Sequence, residues 1–425
     1  MDIQRTGLLA ILGIATYMLF LQWNTYTEDQ TVPPDRVSVA AANSVPQANA
    51  ITDTPTPTTN ETDSLPVTEL VSSRSGEHVR VQTPLFDITI DRVGGDITQA
   101  LLPQFPTRID RPNDPIALLD SVERVYFAQS GLVGIDGPDA SAAGRPQYRS
   151  ESDNYDISVP TDVILETTTE NGLTIQKIFQ FDPTRYDITV IHRIINTGSE
   201  PRTVSPFVQL KRDNSADPSI QNSMGMQAFL GFALQTAEER YRKIAFDDFS
   251  ELADARELNE DLKTASVSGG YLALLQHYFT TAWVPNAEQT HVFSFRRNER
   301  GENIGSIVSP EIVVAPGSTE TTSAVLYVGP KDQEALEAIT PGLELVVDYG
   351  WLWFIAQPLF AILKFIQNYV SNWGLAIILV TVLVKGAFFQ LSAAAYKSMA
   401  KMRKFTPEIT RMRELYGDDR QRMSK

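Results

Sequence analysis

The sequence predicts a multi-domain membrane protein: an all-β sandwich held outside the membrane, with transmembrane, interfacial and cytoplasmic α-helices. Three observations predict it. Short β-branched and aromatic runs with period-two alternation fill the middle of the chain. Apolar stretches of near-spanning length lie towards each end. The charge is also divided. The chain carries −16, yet residues 397–425 hold nine Lys or Arg against four Asp or Glu, a net of +5 that leaves −21 for the rest. Such a split places two parts in different surroundings and excludes a generally basic nucleic-acid binder. Without cysteine, the chain has no disulfide framework, thiol nucleophile or cysteine metal site.

Residues 1–26 read as an uncleaved transmembrane signal anchor. GLLAILGIATYMLFL lies in an uncharged stretch between Arg5 and Glu28, close to the ~20 residues a bilayer core requires. QWNTY follows without a small-x-small cleavage pattern. Trp23 and Tyr26 suit an interfacial belt, and Arg5 before the span with Glu28, Asp29 and Asp35 after it predicts a cytoplasmic N-terminus. Residues 27–75 are rich in Pro, Thr, Ser and Asn, with no aromatic between Tyr26 and Phe86, and predict a disordered tether.

Residues 76–335 predict the sandwich. VRVQTPLFDITIDRVGG, LTIQKIFQF, YDITVIHRIINTG, EIVVAPG and SAVLYVG are strand-like runs punctuated by turn residues. That spacing favours antiparallel pairing over a parallel α/β sheet. Residues 130–153 read as a loop, 236–263 as a short helix or strands with long loops, and 332–339 as a closing helix. His78, His192, His277 and His291 show no metal-ligand spacing, and no nucleophile elbow, P-loop or dinucleotide turn occurs. Asp247 and Asp248 read as surface charge. No cofactor is expected.

Residues 336–371 predict an interfacial amphipathic helix region. Gln357, Ala361, Lys364 and Asn368 form a polar stripe, and only 15 uncharged residues separate Asp348 from Lys364. A crossing here would also put the basic tail outside, against the positive-inside rule. Pro358 is expected to kink this helix or to mark its first turn. Residues 372–392 then cross inward around LAIILVTVLV. Lys385 interrupts this span about 15 Å from Leu375 at ~1.5 Å per residue, where a charge costs on the order of 2.5–3.5 kcal/mol. Two readings stay open: Lys385 snorkels to the headgroups, or it faces a wet cavity together with Thr381 one turn earlier. Residues 393–425 predict a basic helix. Its stripe of Met399, Met402, Phe405, Ile409, Met412 and Leu415 needs a partner helix, and Pro407 is expected to break or bend it. Lys397, Lys401, Arg403 and Lys404 serve as cytoplasmic retention charges.

The strings VDYGWLWFIAQPLF, NWGLAIILVTVLVKG and YKSMAKMRKFTPEITRMRELYGDDRQRMSK closely resemble the YidC membrane protein insertase family of Gram-negative bacteria. QHYFTTAWVP at 276–285 is similar to that family's periplasmic domain, and the order of elements agrees over the whole chain. The resemblance implies a multi-pass protein of the bacterial inner membrane that inserts and folds other membrane proteins, alone or beside the Sec translocon. It implies a mutarotase-like supersandwich, with no nucleotide, metal or catalytic residue. Lys385 matches a positive residue in a hydrophilic groove open to the cytoplasm, where the family's usual residue is arginine; lysine keeps the charge but loses the planar fork. Thr381 matches a groove-lining position. Trp351, Trp353, Phe354 and Pro358 fall in the interfacial helix. Lys397, Lys401, Arg403, Lys404, Arg411 and Arg413 fall in the first arm of a cytoplasmic hairpin, a client-recruiting element. Implied partners are client membrane proteins, Sec translocon subunits, the lipid bilayer, and ribosome or signal-recognition components, with no specific nucleic acid. The family's core has further spans, so a partial copy is expected. Two other readings compete: a membrane-anchored sugar-binding or mutarotase-like enzyme, which needs a clustered acid and base in the sandwich, and a translocon-binding module.

Overall fold

A computed structural model describes residues 78–108, 110–141, 144–217, 229–235, 240–246 and 265–416. The expected signal anchor, the tether, Asp247–Asp248 and most of 236–263 lie outside the described residues. Two sheets form the sandwich. The first has eleven described strands. Its order is Ala265–Ser268, Thr290–Arg297, Asn303–Val308, Arg202–Arg212, Tyr126–Val133, Arg111–Asp120, Ile97–Arg108, Asp87–Asp91, His78–Gln82 and Asn154–Asp156, with Ile312–Val314 on the Arg202–Arg212 strand. The second has nine: Arg242–Ala245, Gly231–Leu234, Leu272–Leu275, Phe279–Val284, Thr319–Pro330, Asp187–Asn196, Leu173–Phe181, Thr161–Thr168 and Arg149–Ser150. Pairing is antiparallel except between His78–Gln82 and Asn154–Asp156.

Period two sets the register. In His78–Gln82, Val79 and Val81 are buried while Arg80 and Gln82 are exposed, so a slip by one residue would turn the apolar pair outward. Inward residues of both sheets form one core, from Val79, Ile88 and Leu102 across to Ile175, Phe179 and Val190. Polar bridges cross it. The Trp283 indole donates to Gln209 O at 3.1 Å, and the buried Lys177 Nζ donates to Gly94 O and Ser130 O.

The expected loop over 130–153 is partly strand. Tyr126–Val133 continues through Leu132 and Val133, both fully buried, because the inter-sheet core extends to them. A 3-10 turn at Pro138–Ala140 and the short strand Arg149–Ser150 complete the segment.

The outer face of the second sheet has a narrow seat. Ala233 pairs with Ala273, Ala273 with Ala282, and Ala282 with Tyr327, one row across four strands. Three methyl side chains leave room for helix α1, Gln333–Ile339, and for the 3-10 segment Leu343–Val346. Leu336, Leu343 and Val346 pack onto the row. Asp332 caps α1 by accepting from the backbone N–H groups of Glu334 and Ala335. Ala282→Leu is expected to overfill the seat and to lower stability by about 1–3 kcal/mol, measured by urea unfolding.

Three longer helices follow: α2, Trp353–Val370; α3, Trp373–Ala387; and α4, Phe389–Tyr416. Pro358 lies inside α2 rather than in its first turn, because the 3-10 turn Gly350–Leu352 already starts the coil. Pro407 lies inside α4, which continues past it to Tyr416. No single described helix is long and apolar enough to cross a membrane. Together α3 and α4 satisfy that requirement across a 59° bend. Helix α3 ends at Phe388, whose N–H caps it by bonding back to Gly386 O and Val384 O. Gly386 just before the break is a weak helix former.

Candidate functional site

Helices α2 and α3 are joined by Ser371, which takes a left-handed φ of 53°, and Asn372, whose side chain accepts from Leu375 N at 3.0 Å. This tight reversal lays α3 against α2. Ala376 is buried, and Val380 and Val384 are half-buried, a spacing of four that marks the covered side of α3. Between the helices lies an apolar cleft of about 310 Å³, lined among others by Leu359, Phe360, Leu363, Ile377 and Thr381. Lys385 sits roughly 140° around the helix from the covered side at 3.6 residues per turn, and it is exposed. Thr381 marks the boundary. It lines the cleft while its hydroxyl donates to Ile377 O at 2.8 Å. That bond occupies its donor, so the hydroxyl contributes acceptor capacity to the Lys385 side rather than a free O–H.

The sandwich holds α2 from above. Lys364 in its polar stripe pairs with Glu334 of α1, and Lys243 pairs with Asp348 just before α2. The Tyr349 hydroxyl donates to Gln333 at 3.1 Å. Lys243, the neighbouring Lys331 and the Gly350 N–H keep the Asp348 carboxyl below its ordinary range, against the opposing effect of burial. Trp353, Phe354 and Pro358 are exposed. Trp351 falls in the 3-10 turn. On α4, Lys397, Lys401, Arg403 and Arg411 are exposed; Lys404 and Arg413 lie on the same helix, with side chains outside the described set. Met399, Met402 and Phe405 are exposed beside them.

The sandwich interior contains a charged cluster that periodic patterning passed over. Arg145 donates through Nε to Asp139 at 2.7 Å, through Nη1 to Asp96, and through Nη2 to Ser130 O at 2.9 Å. Lys177 joins on Gly94 O and Ser130 O. Gly94 and Gly95 both take positive φ. A Cβ on Gly95 would lie 2.9 Å from the Lys177 side chain, so the turn admits the cluster only as glycine. Two cations face two carboxylates, and His192 lies beside them. Burial, with Lys177 and Arg145 nearby, holds His192 neutral, well below its ordinary range. An acid and a base are therefore clustered, but both carboxylates are engaged by Arg145 and His192 is 4% exposed. The arrangement closes the interior and presents no substrate face. The signal in the sequence was Lys177, a lone cation at an inward position of LTIQKIFQF.

Burial pushes the Lys177 ammonium down to about 8, against an ordinary 10.5 in the unfolded chain. Between those values the unfolded state binds the extra proton, so stability rises with pH. The slope from this group is about 1.4 kcal/mol per pH unit. Lys331 is also pushed down to about 8. Lys177→Met is expected to reduce, not abolish, the rise in urea midpoint between pH 8 and 10; an unchanged slope would remove Lys177 as its source.

Residues 78–362 match the family described as "YidC periplasmic domain", and residues 365–425 match "60Kd inner membrane protein". The "Membrane protein insertase YidC" of Pseudomonas syringae is 42% identical over 437 residues, covering 100% of this chain and 76% of that protein. The Azotobacter vinelandii protein of the same name is 41% identical over 432 residues with the same coverage. The chain belongs to the YidC membrane protein insertase family. YidC membership places it at the inner membrane with its sandwich as the periplasmic domain, and makes its clients membrane proteins. It also assigns an insertase rather than an enzyme. Among solved structures, an active YidC insertase is 13% identical, covers 79% of this chain and 60% of that one, and has a TM-score of 0.33. A galactose mutarotase-like protein from Lactobacillus casei is 8% identical, covers 59% of this chain and 99% of that one, and has a TM-score of 0.38. At such scores the YidC sandwich stands on its own strand pairing.

Proposed function

We propose that this insertase admits clients along the side of α3 that carries Lys385, and that the ammonium attracts acidic residues of a client's translocated segment. The observation that supports this reading is the placement of Lys385: α2 covers the Ala376, Val380 and Val384 side and leaves Lys385 exposed within the apolar stretch. A lipid-facing cation there is costly, whereas a wet groove would solvate it. In the proposed topology the N-terminus is cytoplasmic, α2 lies at the periplasmic interface, α3 leads inward, and α4 is cytoplasmic. The Lys397, Lys401, Arg403, Lys404, Arg411 and Arg413 set then recruits clients or ribosome-bound partners. The Sec translocon is a further proposed partner.

Photo-crosslinkers placed singly along α3 test the path. Ile378 and Val382 should capture a nascent client, whereas Ala376 and Val380 should capture none. Equal capture from both sides would overturn the assignment of the groove face.

A further inference from the structure

The sandwich buries three groups of cations, and one of them is not neutralised. Arg145 and Lys177 face Asp96 and Asp139. Lys211 faces Glu302 at 2.6 Å. Arg212 is fully buried at the end of the Arg202–Arg212 strand, and no carboxylate among the described residues lies within ion-pair distance of it. Its Nη2 donates to Ser215 O at 2.9 Å, and its guanidinium carbon stands 4.8 Å from the centre of the Tyr126 ring. Its Nε and Nη1 have no acceptor. A buried guanidinium normally has its donors met by a carboxylate or carbonyls, because its desolvation is otherwise uncompensated.

The atoms nearby are also mainly donors without partners. Tyr126 is directly paired with Arg212 across the strands, and its hydroxyl has no hydrogen bond. The Thr281 hydroxyl lies beside that phenol without a well-aligned bond. Gln276, 1% exposed, precedes Thr281 across the turn into the Phe279–Val284 strand, and its Nε2 is unpartnered. The charged groups that act on Arg212 are Arg124, Asp213 and Asp217. Asp213 is turned to Val125 N and to Ser215. Asp217 accepts from His277 N at 2.7 Å. Arg212 and Arg124 thus share two carboxylates that bond elsewhere.

We propose that Arg212, with Tyr126, Gln276 and Thr281, forms an interior binding site for one small monovalent anion, halide or carboxylate in size. The anion would accept from Arg212 Nε and Nη1, from the two hydroxyls and from the Gln276 amide, and would give the guanidinium a counter-charge within ion-pair distance. The site lies within the sandwich, and the proposed membrane groove does not depend on it.

Crystals of the chain soaked in sodium bromide should show an anomalous peak in contact with Arg212 Nη1. In detergent solution at fixed ionic strength, bromide or acetate should raise Tm saturably over a bulky sulfonate. The rise should be about 5–10 °C at a hundredfold excess over Kd, and which of the two anions acts at lower concentration identifies the class. Arg212→Gln should abolish that response. A water molecule in place of bromide at Arg212, or the same Tm response in Arg212→Gln, would overturn the proposal. Should Arg212→Gln fail to fold, the bromide peak in the unaltered chain decides alone.

Discussion

Lys385→Glu is expected to reduce insertion of clients with acidic translocated segments by roughly 10–100-fold. The change replaces attraction by repulsion at one point of the path. Two unit charges 4 Å apart at an effective dielectric of about 20 interact by about 4 kcal/mol, and each 1.4 kcal/mol is about tenfold. Partial hydration of a groove reduces that figure, hence the lower range. Lys385→Arg should retain activity, because the interaction needs charge more than the planar fork. Clients with uncharged translocated segments should insert within about twofold of normal. Protease protection of radiolabelled clients in inverted membrane vesicles measures all three. Exposure of Lys385 on the side that α2 leaves open is what makes the effect a direct one.

Arg145→Met is expected to lower the stability of the sandwich by about 3–5 kcal/mol. The substitution removes four hydrogen bonds, to Asp96, Asp139, Ser130 O and Gly94 O. It leaves Asp139 fully buried and Asp96 nearly so. Lys177 cannot take over, since its ammonium is directed at Gly94 O and Ser130 O. Urea unfolding of the purified chain at pH 7 reads the loss. A loss below 1 kcal/mol at pH 7 would show that the cluster is not what joins the sheets at this point.

Strand periodicity carried much of the fold. Val79 and Val81, or Ile188 and Val190, sit inward where alternation placed them. The antiparallel sandwich follows from many such runs with turn residues between them. Arg145 was not legible, because it comes from a segment read as a loop and bonds to residues up to 51 positions away. Long-range polar pairing leaves no local pattern. Lys177 was half legible, as a polar residue among inward Ile175 and Phe179. The alanine row was hidden for a related reason: three short strands each contribute one small residue, and only cross-strand register aligns them.

At the candidate site, the polar stripe of α2 was read from spacing, but its Lys364–Glu334 contact required the tertiary seat of α1. The end of α3 at Phe388 was hidden, since Ala, Phe and Leu continue on both sides and hydropathy does not register a 59° bend. Pro358 and Pro407 both lie inside helices that continue on either side of them.

A reciprocal charge exchange tests the central claim most directly. Two clients differing only by Asp or Lys in the translocated segment would be inserted by membranes carrying either Lys385 or Lys385→Glu. A charge-reading groove predicts inversion: the Asp client favoured by Lys385, and the Lys client favoured by Lys385→Glu. If both clients decline together, or neither responds, Lys385 does not read client charge and the proposed mechanism is contradicted.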